Sequence, residues 1–176
     1  MNNTEKKQLD QIEIERKYVI LKPDMTLVSG ASGYTESRIT QTYLESPEGQ
    51  TRRVRKREYA DRTEYFETVK IRIDKMSSRE IEREIDESEY LSLLNKIKAG
   101  TRPILKTRLT FPYNGRIIEI DLYPEWKDTC IMEIELPAEN ETVSIPEFVR
   151  ILKEVTGDHN YSNASMSRSF PPELSL

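Results

Sequence analysis

Residues 13–20 read EIERKYVI. Side chains of an extended strand alternate between its faces, so Glu13, Glu15 and Lys17 share one side while Ile14, Tyr18 and Ile20 share the other. A single antiparallel sheet with one face in water could carry such charges without further purpose. The alternation recurs, however, in strand after strand. TRRVRKRE (51–58) sets Arg53, Arg55 and Arg57 together, and ETVKIRI (67–73) sets Thr68, Lys70 and Arg72 against Val69, Ile71 and Ile73. REIEREI (79–85) places Glu80, Glu82 and Glu84 opposite Ile81 and Ile85, and CIMEIEL (130–136) places Glu133 and Glu135 opposite Met132, Ile134 and Leu136.

One hairpin can be set in register from its turn. LTFPYNGRIIEIDLY (109–123) contains Asn114–Gly115, the preferred pair for a two-residue type I′ turn. Counting outward from Tyr113 opposite Arg116 pairs Phe111 with Ile118 and Leu109 with Ile120 on one face. Arg108 then meets Asp121, and Thr110 meets Glu119, on the other. Apolar residues face apolar ones and charge faces charge, so the register is self-consistent.

Eight strands follow from these patterns, at 13–20, 38–45, 51–59, 64–73, 79–85, 103–112, 115–123 and 129–136. DESEYLSLLNKIKAG (86–100) has Tyr90, Leu93, Leu94 and Ile97 at helical spacing with Gly100 as a stop. A second helix is expected after the last strand, from an N-cap at Ser144 through EFVRILKEV to Gly157. Residues 1–11 read as a flexible polar lead, and 12–176 as one domain.

Composition narrows the function classes. The 176 residues carry a net charge of −4, which gives no general attraction to nucleic acid or anionic lipid. RRVRKR (52–57) alternates around Val54 and reads better as a strand than as a nucleic-acid patch. Cys130 is the single cysteine, so there is neither a disulfide framework nor a cysteine-rich zinc site. No glycine-rich phosphate loop is present, nor a secretory signal or a stretch long enough to span a membrane. These features point to a soluble cytoplasmic protein.

Eight amphipathic strands tend to close, because closure removes exposed edges. With helices covering the apolar outside, the charges fall inside. An interior of mixed charge is costly unless it is solvated or binds something. A hydrated channel holding a polyanion and metal ions would use both signs, since hard Mg²⁺ or Mn²⁺ takes carboxylate oxygens and Arg and Lys suit phosphate. The expected architecture is therefore α+β, a closed eight-stranded antiparallel β-barrel with helices packed outside.

The ordered series EIERK, ITQTYL, RRVRKR, ETVKIR, REIERE, ILKTR, EIDLY, MEIEL and YSNAS, spread over residues 12–165, resembles the triphosphate tunnel metalloenzymes of the CYTH superfamily. That resemblance implies a triphosphate tunnel, a divalent metal and a small-molecule triphosphate substrate. By position, it makes Glu13, Glu15, Glu133 and Glu135 metal ligands with Asp121 close by, and Glu82 and Glu84 a place for a second metal or a water. Lys17, Arg53, Arg55, Lys70 and Arg108 would grip phosphates, joined by Arg72 and Lys106. Arg57, Glu80 and Glu119 are equally explained as structural ion pairs. Glu13, Glu15 and Lys17 would carry the chemistry, Lys17 acting as general base only if cationic neighbours lower its pKa.

The implied activity is a metal-dependent triphosphatase acting on inorganic triphosphate or a simple organic triphosphate, with no nucleic-acid or membrane partner and a possible homodimer. Alternatives are a thiamine or nucleoside triphosphatase, an adenylate cyclase, a polyphosphate-binding module without turnover, and a salt-bridged scaffold. The cyclase branch carries a His-Phe pair, and here the single histidine, His159, precedes Asn160. Trp126 could stack on a base or thiamine ring, or simply pack on a surface loop.

Overall fold

The computed structural model describes residues 8–175. Nine strands run β1 Gln8–Leu21, β2 Thr35–Leu44, β3 Gln50–Glu58, β4 Thr63–Arg72, β5 Ser77–Ile85, β6 Ile104–Tyr113, β7 Arg116–Leu122, β8 Thr129–Leu136 and β9 Ile151–Glu154. All pairings are antiparallel. The order β5-β4-β3-β2-β6-β7-β8-β1 closes through a β5–β1 pairing, which gives an eight-stranded barrel with β9 attached outside it. Short helices α1 (Met25–Ser29), α2 (Glu87–Leu93) and α3 (Asn163–Met166) accompany it. No helix among the described residues is long and apolar enough to cross a membrane.

The β6–β7 hairpin has the register expected from its turn, with Tyr113 opposite Arg116, Leu109 opposite Ile120 and Arg108 opposite Asp121. Asn114 and Gly115 take φ of 47° and 73°, the left-handed pair that a type I′ turn demands. Helix α2 occupies part of the predicted helical stretch. Its N-cap Asp86 accepts a 2.8 Å bond from Glu89 N–H, and a short 3₁₀ turn at Leu94–Lys96 ends it.

Two expectations are corrected. Residues 8–11 are not a loose lead, because they extend β1 along β5, with Gln8 opposite Arg83 and Gln11 opposite Glu80. Residues 1–7 of that lead lie outside the described residues. The helix expected over 144–157 is replaced by β9. Its cause is the way β1 changes neighbours: residues 8–14 pair with β5, and 14–21 pair with β8. The second edge of β1 beyond Ile14 is thereby left open, and Ile151–Glu154 fills it opposite Tyr18–Ile20. Unpaired backbone groups on a buried strand cost more than helix propensity can return.

The apolar residues form a shell around the barrel. Ile14, Tyr18, Ile20, Leu109, Phe111, Ile118, Ile120, Met132 and Ile134 pack with Val28 of α1 and with Phe148 and Val149. Leu44, Val54 and Ile85 are covered by Tyr90 and Leu93 of α2. Cys130 joins the first of these clusters, on the opposite face from Glu133 and Glu135.

At one end the interior itself turns apolar. Val19, Ile104, Tyr123 and Ile131 continue the inward rows of Lys17, Lys106, Asp121 and Glu133, and they pack with Val155, Tyr161 and Met166 of the C-terminal segment. Trp126 belongs to this plug, 3% exposed, edge-on to Tyr123 and Phe170, with its indole N–H donating to Pro171 O at 3.1 Å. It is thus neither a surface residue nor free to stack on a ligand. Gly157 lets this segment approach the β4–β5 turn, since a Cβ there would sit 3.0 Å from Lys75 Cβ and its carbonyl oxygen.

Glu173 latches the tail. Its carboxylate accepts from the backbone N–H groups of Lys127, Asp128 and Thr129 at 2.6–3.0 Å and from Thr129 Oγ1 at 3.0 Å. Against the cost of desolvation, these donors hold its pKa at about 2. A depressed carboxylate contributes stability above its unfolded value of 4.5, and that stability is lost as pH falls toward 2. Glu173→Ala should lower stability at neutral pH by about 1 kcal/mol after solvent screening is discounted. The gap from wild type should close on acidification, as thermal melts across the acid range would show.

Candidate functional site

Inside the barrel lies a cavity of about 670 Å³. The inward rows predicted from alternation all reach it, with Glu13, Glu15 and Lys17 from β1 and Arg53, Arg55 and Arg57 from β3. Lys70 and Arg72 come from β4, Glu80 and Glu82 from β5, Lys106 and Arg108 from β6, Glu119 from β7, and Glu133 and Glu135 from β8. Cations thus concentrate on β3, β4 and β6, and carboxylates on β1, β5, β7 and β8.

Three linked ion-pair groups hold the walls together. On one side Arg108 donates Nε and Nη2 to the two oxygens of Asp121 at 2.7 Å each, reaches Glu133 Oε2 at 2.9 Å and pairs with Glu119. Lys106 Nζ meets the same Asp121 at 2.5 Å, and Lys17 Nζ meets Glu133 Oε1 at 2.7 Å. Across the lumen Arg53 Nη2 bonds Glu80 at 3.0 Å, and Arg55 Nη2 bonds Glu82 at 2.6 Å, where Thr68 also donates at 2.9 Å. Lys70 Nζ extends the second side to β1, 3.1 Å from Glu13 and 3.4 Å from Glu80.

These contacts set the protonation states. Burial would lower the Lys17 pKa, but Glu133 and Glu15 prevail and raise it, so Lys17 stays an ammonium. The neighbours that decide its charge in the empty barrel are the carboxylates Glu133 and Glu15 rather than cations. Lys106 goes the other way, because burial and adjacent Arg108 bring it down to about 8 in spite of Asp121. Burial pushes Glu13 up to about 7, with Lys70 opposing and Glu80 adding. Glu80 is held near 2 by Arg53 and Lys70 against its own desolvation. Glu135 is raised by burial and by the carboxylates Glu119, Glu15 and Glu80.

Two predicted ligands do not line the cavity. Glu84 is exposed, although it is still paired with Phe66 of β4. Asp121 is fully buried beneath the lining, clamped by Lys106 and Arg108, which makes it a counter-ion for those side chains. Conversely, Gln41 and Tyr43 of β2 line the cavity, Gln41 Nε2 donating to Tyr43 Oη at 2.8 Å. The alternation in ITQTYL carried that signal. Exposed His159 and half-buried Asn163 stand at the rim on the C-terminal segment, which no strand pattern could place.

The donors suit a hard cation. No three His, Cys, Asp or Glu side chains among the described residues are already gathered at metal-binding geometry. Yet Glu15 and Glu135 are direct partners across β1 and β8, and Glu119 and Glu133 are partners across β7 and β8. Opposed like charges destabilise a sheet. Lys17 lies 3.8 Å from Glu15, and no cation pairs with Glu135 among the described residues. A divalent ion held by one or two carboxylates and several waters would relieve this repulsion. On the cationic wall, the buried Nε groups of Arg53 and Arg55 have no acceptor, so two donors are free for an anion.

The CYTH domain model matches residues 11–170. The chain belongs to the CYTH family. Among solved structures, the inorganic triphosphatase NE1496 is similar at 26% identity and a TM-score of 0.58, covering 91% of this CYTH chain and 97% of that one. The PH1819 protein from Pyrococcus horikoshii OT3 is 22% identical with a TM-score of 0.57, over 73% of this chain and 80% of its own, and supports the fold alone. A comparison with curated proteins finds no match.

Proposed function

We propose that this CYTH protein is a divalent-metal-dependent triphosphatase whose substrate is inorganic triphosphate. The carrying observation is the closed lumen with cations and carboxylates on separate walls, in a chain similar to an inorganic triphosphatase over almost its whole length. Arg53, Arg55, Lys70, Lys106 and Lys17 bind and orient the phosphate oxygens, with the free Nε donors of Arg53 and Arg55 adding directed hydrogen bonds. Glu15 and Glu135, with Glu133 and Glu119 beside them, would hold Mg²⁺ or Mn²⁺. When bound, the metal supplies Lewis-acid polarisation of a phosphoryl oxygen and a water of lowered pKa.

Phosphoryl transfer needs positioning and charge stabilisation above all, and the ion-paired walls supply both without reorganising. Glu13, raised to about 7, is the lumen carboxyl best matched to take a proton from the attacking water near neutrality. The sole tryptophan is locked in the plug, which leaves it unable to recognise a base or thiamine ring.

Phosphate and pyrophosphate release from tripolyphosphate, with ATP and thiamine triphosphate in parallel, tests this reading under Mg²⁺, Mn²⁺ and EDTA. Metal-dependent turnover preferring tripolyphosphate is expected. Tight binding without turnover would instead make the barrel a binding module, and faster ATP cyclisation would make it a cyclase.

A further inference from the structure

A second, smaller cleft of about 120 Å³ adjoins the lumen on the outside of the β2–β3 corner. The two spaces share Tyr43, Thr51, His159 and Ala164, so the cleft is a side branch of the lumen's mouth. Its volume falls below that of an independent ligand pocket, ~300 Å³ or more.

Its chemistry differs from the lumen's. In a protein with 31 acidic residues, not one Asp or Glu lines it, whereas Arg52, Lys98, Arg168 and His159 do. Each Lys and Arg of the lumen's three ion-pair groups is held by a carboxylate. Here Arg52 is engaged by Glu67 at 2.6 Å, but half-buried Lys98 and exposed Arg168 have no carboxylate partner among the described residues. The neighbouring Glu45 does not line the cleft and accepts from Ala99 N–H at 3.2 Å. Unpaired cations with no carboxylate among them are an anion's surroundings.

We infer that this cleft binds the distal phosphates of a linear polyphosphate longer than three units, extending the triphosphate site and making Lys98 and Arg168 chain-length determinants. The inference rests on the triphosphatase reading for its catalytic consequence, but the binding it describes stands apart from turnover. A phosphate chain threaded past Tyr43 and Thr51 leaves the metal-neutralised part of the lumen and needs protein cations, and Lys98 and Arg168 are next along that path. A nucleobase would find no side-chain amide here, and Tyr43 is buried and already accepts from Gln41.

The test compares tripolyphosphate with linear polyphosphate of about fifteen units on wild type, Lys98→Gln/Arg168→Gln and Lys98→Glu/Arg168→Glu. KM for the long chain should rise about tenfold in the charge-reversed protein, with a smaller rise for the glutamine pair. Values for tripolyphosphate should stay within about twofold, and melting temperatures should match wild type. Calorimetric binding of both ligands in EDTA separates the two claims. If nothing turns over yet the variants selectively lose long-chain binding, the cleft is upheld and the triphosphatase reading fails. Equal losses for both ligands, or none for the long chain, would overturn the cleft as a subsite.

Discussion

Replacing both Glu15 and Glu135 with Gln is expected to cut metal-dependent tripolyphosphate hydrolysis at least a hundredfold, the lower end of the several kcal/mol that a bound metal contributes. The metal-free protein should meanwhile become no less stable. The two carboxylates are direct partners across β1 and β8, and Glu135 is raised by burial and by its acidic neighbours. Neutralising a like-charged cross-strand pair returns about 0.2–1 kcal/mol. A residue pair that harms the empty fold and serves only the loaded one is the signature of a ligand site. If these carboxylates were structural, the double variant would melt lower and lose activity only in step with folding. Rates at saturating Mg²⁺, set beside melts in EDTA, distinguish the two.

Asp121→Asn should act in the opposite way, through the fold. Asp121 is fully buried and takes three bonds of 2.5–2.7 Å from Lys106 and Arg108. Removing its charge leaves buried Lys106 without its partner, and breaking a buried pair from one side costs about 3–5 kcal/mol, reduced where Lys106, already lowered to about 8, sheds its proton. Arg108 keeps Glu133 and Glu119, which places the expected loss toward the lower figure. For a chain of this size, that is a fall in Tm of roughly 10 °C. Pairing Asp121→Leu with Lys106→Met should recover much of it, because replacing both partners by apolar groups is often neutral. A denaturant titration of the single and double variants measures the difference.

The contrast between these carboxylates shows where sequence reading works. Period-2 alternation is a local property of the backbone, so EIERK, RRVRKR, ETVKIR and MEIEL each disclosed their inward rows, and Asn114–Gly115 fixed a hairpin register to the residue. Those same rows could not reveal depth. Asp121 and Glu135 look alike in a string of letters, yet one is sealed under the lining by two cations and the other faces a carboxylate. Glu84 obeys the alternation of REIERE, yet it is exposed and does not line the cavity.

By itself the sequence determined the strand faces, the turn, the separation of charge sign and the family, because each rests on spacing within a few residues or on an ordered set of short motifs. Tertiary structure alone decided which charges are paired, and so that the Lys17 pKa is raised rather than lowered, since pKa follows neighbours that come from other strands. It also converted 151–154 from helix to strand, because an open edge on β1 required hydrogen-bond partners that those residues could supply. The apolar plug, with Trp126 locked inside it, was equally hidden, as it forms only when a C-terminal segment folds back across inward residues of other strands, distant in the chain.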